Sequence, residues 1–118
     1  MTQRTDRVAE EFREILAEEL QRLKDPRIGF VTVTGVDVTP DLRRAVVYYT
    51  VFGDERQERA TAAGVRSATP HLRQALGRQV RLKVVPELEF RIDDSIARGR
   101  RIDELIDRIH TEEERADE

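Results

Sequence analysis

Apolar residues recur near the start of the chain with the period of a helix. Val8, Phe12, Ile15, Leu16, Leu20 and Leu23 fall at i, i+4, i+7, i+8, i+12 and i+15, one continuous stripe. The stripe predicts a helix over 5–24, with Thr5 as N-cap and Asp6 in the first turn. Asp25-Pro26 ends it, because the residue before a proline avoids the helical region. The period then changes to two. Val31 and Val33 alternate, and Val36 and Val38 resume on the opposite parity, so a strand over 30–38 is predicted with a β-bulge at Gly35. Thr39-Pro40-Asp41 is turn chemistry, and a second strand over 44–52 completes an antiparallel hairpin.

A second helix is predicted over 55–68. Ala60, Ala63, Gly64 and Ser67 form a face of small residues on it, suited to close approach to the sheet. Thr69-Pro70 predicts a break, with Thr69 as the N-cap of a short following helix and Pro70 at its first position. That helix carries Leu72, Ala75 and Leu76, and Gly77 is expected to end it. Residues 79–92 alternate again and predict a third strand, at an edge or bulged where Pro86 interrupts it. Asp93-Asp94-Ser95 reads as the cap of a last helix bearing Ile102, Leu105, Ile106 and Ile109 on one face. The order α-β-β-α-kink-α-β-α places the chain in the α+β class. At 118 residues it is expected to be one domain over 1–110, followed by an acidic, disordered tail over 111–118.

Charge changes this picture more than composition does. The chain is acidic overall, with 24 Asp+Glu against 21 Lys+Arg. Residues 64–101 nevertheless hold 9 basic and 4 acidic groups, net +5, while residues 102–118 hold 2 and 8, net −6. From Val65 to Pro86 there are Arg66, Arg73, Arg78, Arg81 and Lys83 and no carboxylate at all. A basic island in an acidic chain points to a polyanionic partner. Arg66, Thr69, Arg73, Arg78, Arg81 and Lys83 are the candidate contacts, with Arg43 and Arg44 at the hairpin end added to them. Tyr48, Tyr49 and Phe52 could stack on bases, although filling the sheet is expected of at least two of them. The absence of cysteine excludes disulfides and thiolate chemistry, and no apolar run approaches membrane-spanning length, which fits a soluble cytoplasmic protein. His71 and His110 are far apart and no metal-ligand or phosphate-loop spacing occurs, so neither catalysis nor a metal or other cofactor is expected.

Several runs resemble the ribosome-binding factor A family of bacterial small-subunit assembly factors. They are Lys24-Asp25-Pro26-Arg27-Ile28-Gly29, Val33 to Val38, Asp41 to Tyr49, and Leu76-Gly77-Arg78 leading through Arg81 to Phe90, with Asp93-Asp94-Ser95 and Gly99 beyond. Their order and spacing are similar to the family's from about Arg7 to Ile109. The resemblance implies a single type II KH-like domain, with a mixed three-stranded sheet and helices on one face. It also implies an Ala-x-Gly kink in place of the usual KH phosphate loop. Here the kink reads Ala68-Thr69-Pro70, and Pro70 offers no N–H where the family has glycine, leaving Thr69 and the following turn. The function implied is late maturation of the small (30S) subunit and 16S rRNA processing, by a monomer that binds free 30S subunits through 16S rRNA without catalysis or contact with a membrane. The alternative is an interaction module that docks on a ribosomal protein or another assembly factor.

Overall fold

The computed structural model describes residues 3–94, arranged as α1 (Gln3–Arg22), β1 (Val31–Val38), β2 (Arg44–Val51), α2 (Glu55–Gln79) and β3 (Glu87–Ile92). The expected last helix and acidic tail lie outside the described residues. The three strands form one mixed sheet in the order β1-β2-β3, with β1 antiparallel and β3 parallel to the central β2. Both helices pack on the same side, so the α+β class and the mixed sheet expected from sequence are what the chain forms. None of the described helices is long and apolar enough to cross a membrane.

The predicted stripe of α1 is its buried face. Phe12 and Leu16 are fully buried and Leu20 nearly so, against Val33 and Val38 of β1 and Ala45 and Val47 of β2. The helix starts two residues earlier than its capping signal suggests, so Thr5 is a buried residue within the first turns and not the N-cap. Between β1 and β2 the register shifts between Val33 and Gly35, as the change of parity predicts. The extra residue is Thr34, and its hydroxyl donates to Asp93 Oδ2 at 2.5 Å.

The expected break at Thr69-Pro70 does not divide the chain into two helices. α2 is one helix of 25 residues with Pro70 inside it. Thr69 caps nothing, and its hydroxyl donates back to the Val65 carbonyl at 2.9 Å. Gly77 likewise lies within the helix, which ends at Val80, whose N–H donates to the Leu76 carbonyl. Magnitudes decide this. An internal proline costs about 3 kcal/mol, whereas each fully buried aliphatic side chain contributes about 1.5–3 kcal/mol. Val65, Leu72 and Leu76 are all buried and share one stripe that runs through the proline, so keeping the helical register wins. The real start of α2 is capped at Asp54, which accepts from the Gln57 N–H while the Gln57 side chain accepts from Asp54 N–H.

The third strand is shorter than its alternation suggests. β3 pairs with β2 in the register Arg44↔Glu87 through Tyr49↔Ile92, and Glu87 N–H donates to the Arg43 carbonyl. Since β2 begins at Arg44, residues before Glu87 have no neighbouring strand to pair with. Residues 80–86 form a connecting arm instead, with Val80 and Leu82 still packed on the core and Val84 turned out to solvent.

The small-residue face of α2 approaches the 25–29 connection, not the sheet. A Cβ on Gly64 would lie 2.6 Å from Ile28 Cγ1 and 3.3 Å from its Cδ1. One turn earlier the buried Thr61 hydroxyl accepts from Gly29 N–H and donates to the Arg27 carbonyl, fastening the same connection. Gly64→Ala would gain about 1 kcal/mol of helix propensity but overpack a contact whose relief costs about 1–3 kcal/mol. We expect a net loss of stability in denaturant unfolding, and a gain would show that the 25–29 connection is free to move.

Candidate nucleic-acid interface

The cations that form one island in the sequence occupy three places in the fold. Arg66, Thr69 and Arg73 stand at i, i+3 and i+7 on α2 and line a groove of about 600 Å³ against β3. Its floor includes Tyr49 and Phe90, packed edge to face with ring centroids 6.4 Å apart, and burial pushes the Tyr49 hydroxyl pKa up. The opposite wall is Glu87 and Glu89, so this groove is mixed in charge.

Arg73 has a structural role within that groove. Its Nε donates to the Pro86 carbonyl at 3.0 Å and its Nη2 to the Val85 carbonyl at 3.1 Å. A weak ion pair to Glu87 lies 3.9 Å away. The side chain thus ties the connecting arm to the middle of α2, and Pro86 is fully buried beneath it.

Arg78 lies two turns beyond His71 on the same side of α2, away from the face of Arg66 and Arg73, and is exposed. Below it, the buried Glu19 of α1 accepts from Gln79 Nε2 at 3.1 Å and sits 4.0 Å from His71 Nε2. Ala68, the start of the expected kink, lines a shallow concavity of about 640 Å³ with Lys24, Arg27 and His71. Arg27 is bound there by Asp25 through both oxygens, and this guanidinium holds the Asp25 carboxyl below its ordinary range.

The third place gathers residues from distant parts of the chain. Arg81 and Lys83 of the connecting arm face Arg43 of the hairpin turn, and Arg4 of α1 joins them around a cleft of about 480 Å³. The turn is internally braced. Leu42 has φ 60, uncommon for a residue with a side chain. Asp41 Oδ1 accepts from the Thr39 hydroxyl at 2.7 Å and from Arg43 N–H at 3.1 Å, and these bonds hold its carboxyl below the ordinary range. Arg44, by contrast, points along the sheet to Glu89 at 3.5 Å. Arg4 is absent from the candidates that sequence supplies, because nothing local marks a helix-start arginine as a neighbour of residues 81–83. The aromatic candidates separate as well: Tyr49 is buried, Tyr48 is half-buried, and Phe52 is exposed beside the equally exposed Phe30.

These elements define an α+β domain built on one mixed sheet, with positive charge that has no ion pair among the described residues collected at the end where the arm meets the hairpin turn. Its family is ribosome-binding factor A: the family's sequence model matches residues 4–106, and the chain belongs to it. Among similar proteins, the ribosome-binding factor A of Geobacter sulfurreducens is 50% identical over 113 residues, covering 95% of this chain and 96% of that protein. That of Gemmatimonas aurantiaca is 49% identical, covering 94% of this chain and 77% of its own. Among solved structures, the crystal structure of the Thermus thermophilus factor is 35% identical, with a TM-score of 0.66 over 75% of this chain and 94% of that one. A Thermus thermophilus homology model fitted into the cryo-EM map of a 30S–RbfA complex is 34% identical, with a TM-score of 0.61 over 70% of this chain and 88% of that one.

Arg73 and Arg78 of α2 should separate cleanly in a stability assay. Arg73→Ala leaves two carbonyls of the arm without their donor and is expected to cost about 1–3 kcal/mol. Arg78→Ala, at an exposed site, is expected to fall within about 0.5 kcal/mol of wild type. Equal effects of the two in urea unfolding would remove Arg73 from its role as the tie.

Proposed function

We propose that this chain is a non-catalytic assembly factor that binds the free 30S subunit through 16S rRNA and assists late maturation and 16S rRNA processing in the cytoplasm. The observation that carries this reading is its likeness to a Thermus relative whose homology model was fitted into the map of a 30S–RbfA complex. The uncompensated basic surface is the physical complement of that likeness. On this reading Arg43, Arg66, Arg78, Arg81 and Lys83 meet phosphates, and Arg73 and Thr69 hold the framework that presents them. Arg44 contributes only by giving up its partner Glu89.

Folded rRNA is recognised by shape and backbone, so such a surface needs no base-reading side chains. A KH-like domain used in this way holds one arrangement of the RNA and leaves when maturation replaces it, which requires unequal affinity for the two subunit states.

Co-sedimentation with purified subunits over a salt series tests the proposal. Binding to free 30S particles should weaken steeply with salt, with a log–log slope of roughly −0.7 to −0.9 for each phosphate contact. Binding that is absent, or that is unchanged between low and moderate salt, counts against an RNA-borne interaction and favours docking on a protein.

A further inference from the structure

We propose that the cleft walled by Arg4, Arg43, Arg81 and Lys83 is a binding site for the sugar-phosphate backbone of RNA. The inference rests on the ribosomal reading above and goes further, in assigning the principal contact to this cleft and leaving Arg66 and Arg78 of α2 at the margin of the bound RNA.

The first argument is how the cations are used. Of the sixteen Lys and Arg among the described residues, seven (Arg13, Arg22, Arg27, Arg44, Arg59, Arg73 and Arg91) lie within 4.0 Å of a carboxylate. All four cleft cations belong to the other nine, with no carboxylate within 4.0 Å among the described residues, although Asp41 acts on Arg43 from a greater distance. The fold brings them together from three separate segments: the start of α1, the hairpin turn and the connecting arm. Four like charges around one concavity repel one another, and a ligand carrying several negative charges relieves that repulsion.

The second argument is the chemistry of the lining. One carboxylate, Asp41, also borders the cleft, which leaves a formal charge of +3 from four cations and one anion. Its Oδ1 is engaged by its own turn, through the Thr39 hydroxyl and Arg43 N–H, so it braces the wall. Leu42, Leu82 and Val84 alternate with the cations and offer apolar surface to ribose. Separate cations at several points of a rim suit consecutive phosphates of a strand better than a single small anion. The α2–β3 groove differs because Glu87 and Glu89 stand in its wall.

The test compares two triple variants of equal charge change by co-sedimentation with free 30S subunits over a salt series. One is Arg43→Glu, Arg81→Glu and Lys83→Glu in the cleft. The other is Arg22→Glu, Arg56→Glu and Arg59→Glu, which are exposed and remote from it. The cleft variant is expected to bind roughly tenfold or more weakly, with a log–log salt slope smaller by about 2–3, one for each contact removed. The remote variant should keep the wild-type slope. Thermal unfolding of both verifies the fold, and Arg43→Gln, Arg81→Gln and Lys83→Gln replace the glutamates if the first variant is unstable. A cleft variant that binds as the wild type does overturns the site and leaves the ribosomal reading standing. Equal losses in both variants overturn it too, because they assign the effect to net charge. Wild-type protein that fails to bind 30S subunits overturns the ribosomal reading itself. Titration of the isotope-labelled full chain with a short RNA duplex supplies the independent readout. Amide shifts at 4, 39–44 and 80–84 support the cleft, and shifts confined to the α2–β3 groove refute it.

Discussion

The two hydrogen bonds from Arg73 to the carbonyls of Val85 and Pro86 are the constraint on which the basic end of the molecule depends. Residues 80–86 have no strand beside them, because β2 starts at Arg44 and the parallel register with β3 runs out there. Backbone carbonyls left in a half-buried position without a donor are costly. The guanidinium supplies both donors from one rigid plane, which a lysine could not do. Gly77 assists from the helix side, since a Cβ there would lie 2.7 Å from Val85 Cγ2. With the arm fixed on both sides, Arg81 and Lys83 are carried to the hairpin turn.

A net charge of −3 says little about which partner such a molecule can meet. What matters is that carboxylates and cations are distributed unequally. Along the middle and end of α1, cations are paired within the helix, Arg13 with Glu10 and Arg22 with Glu18. Along the sheet Glu89 serves both Arg44 and Arg91. Among the described residues lining the cleft, Asp41 is one anion against four cations, so the local balance stays positive. Within a Debye length of about 8–10 Å this local imbalance outweighs the acidic groups elsewhere on the molecule.

Much of the fold is legible in the sequence because it is local. The stripe from Val8 to Leu23 needs only the helical period, and the bulge between Val33 and Gly35 needs only the change of parity between Val33 and Val36. Thr69-Pro70 misleads because proline is a local signal and its opponent is not. The burial of Val65, Leu72 and Leu76 against α1 and the sheet exists only in the folded chain. The length of β3 misleads for a similar reason: Val80 to Val85 alternate as a strand does, and only the starting point of β2 shows that they have nothing to pair with. At the candidate interface, composition points to Arg43, Arg81 and Lys83. That Arg73 is occupied internally and Arg4 is their neighbour are facts of tertiary packing that no spacing encodes.

The chain contains two lysines, Lys24 and Lys83, which act as built-in probes of two different surfaces. Lys83 borders the cleft, and Lys24 borders the concavity beside His71. The most direct measurement is the rate of amine acetylation at each, read by mass spectrometry with and without saturating free 30S subunits. The account predicts strong protection of Lys83 and little change at Lys24. A bound chain in which Lys83 reacts as fast as in the free protein would contradict it.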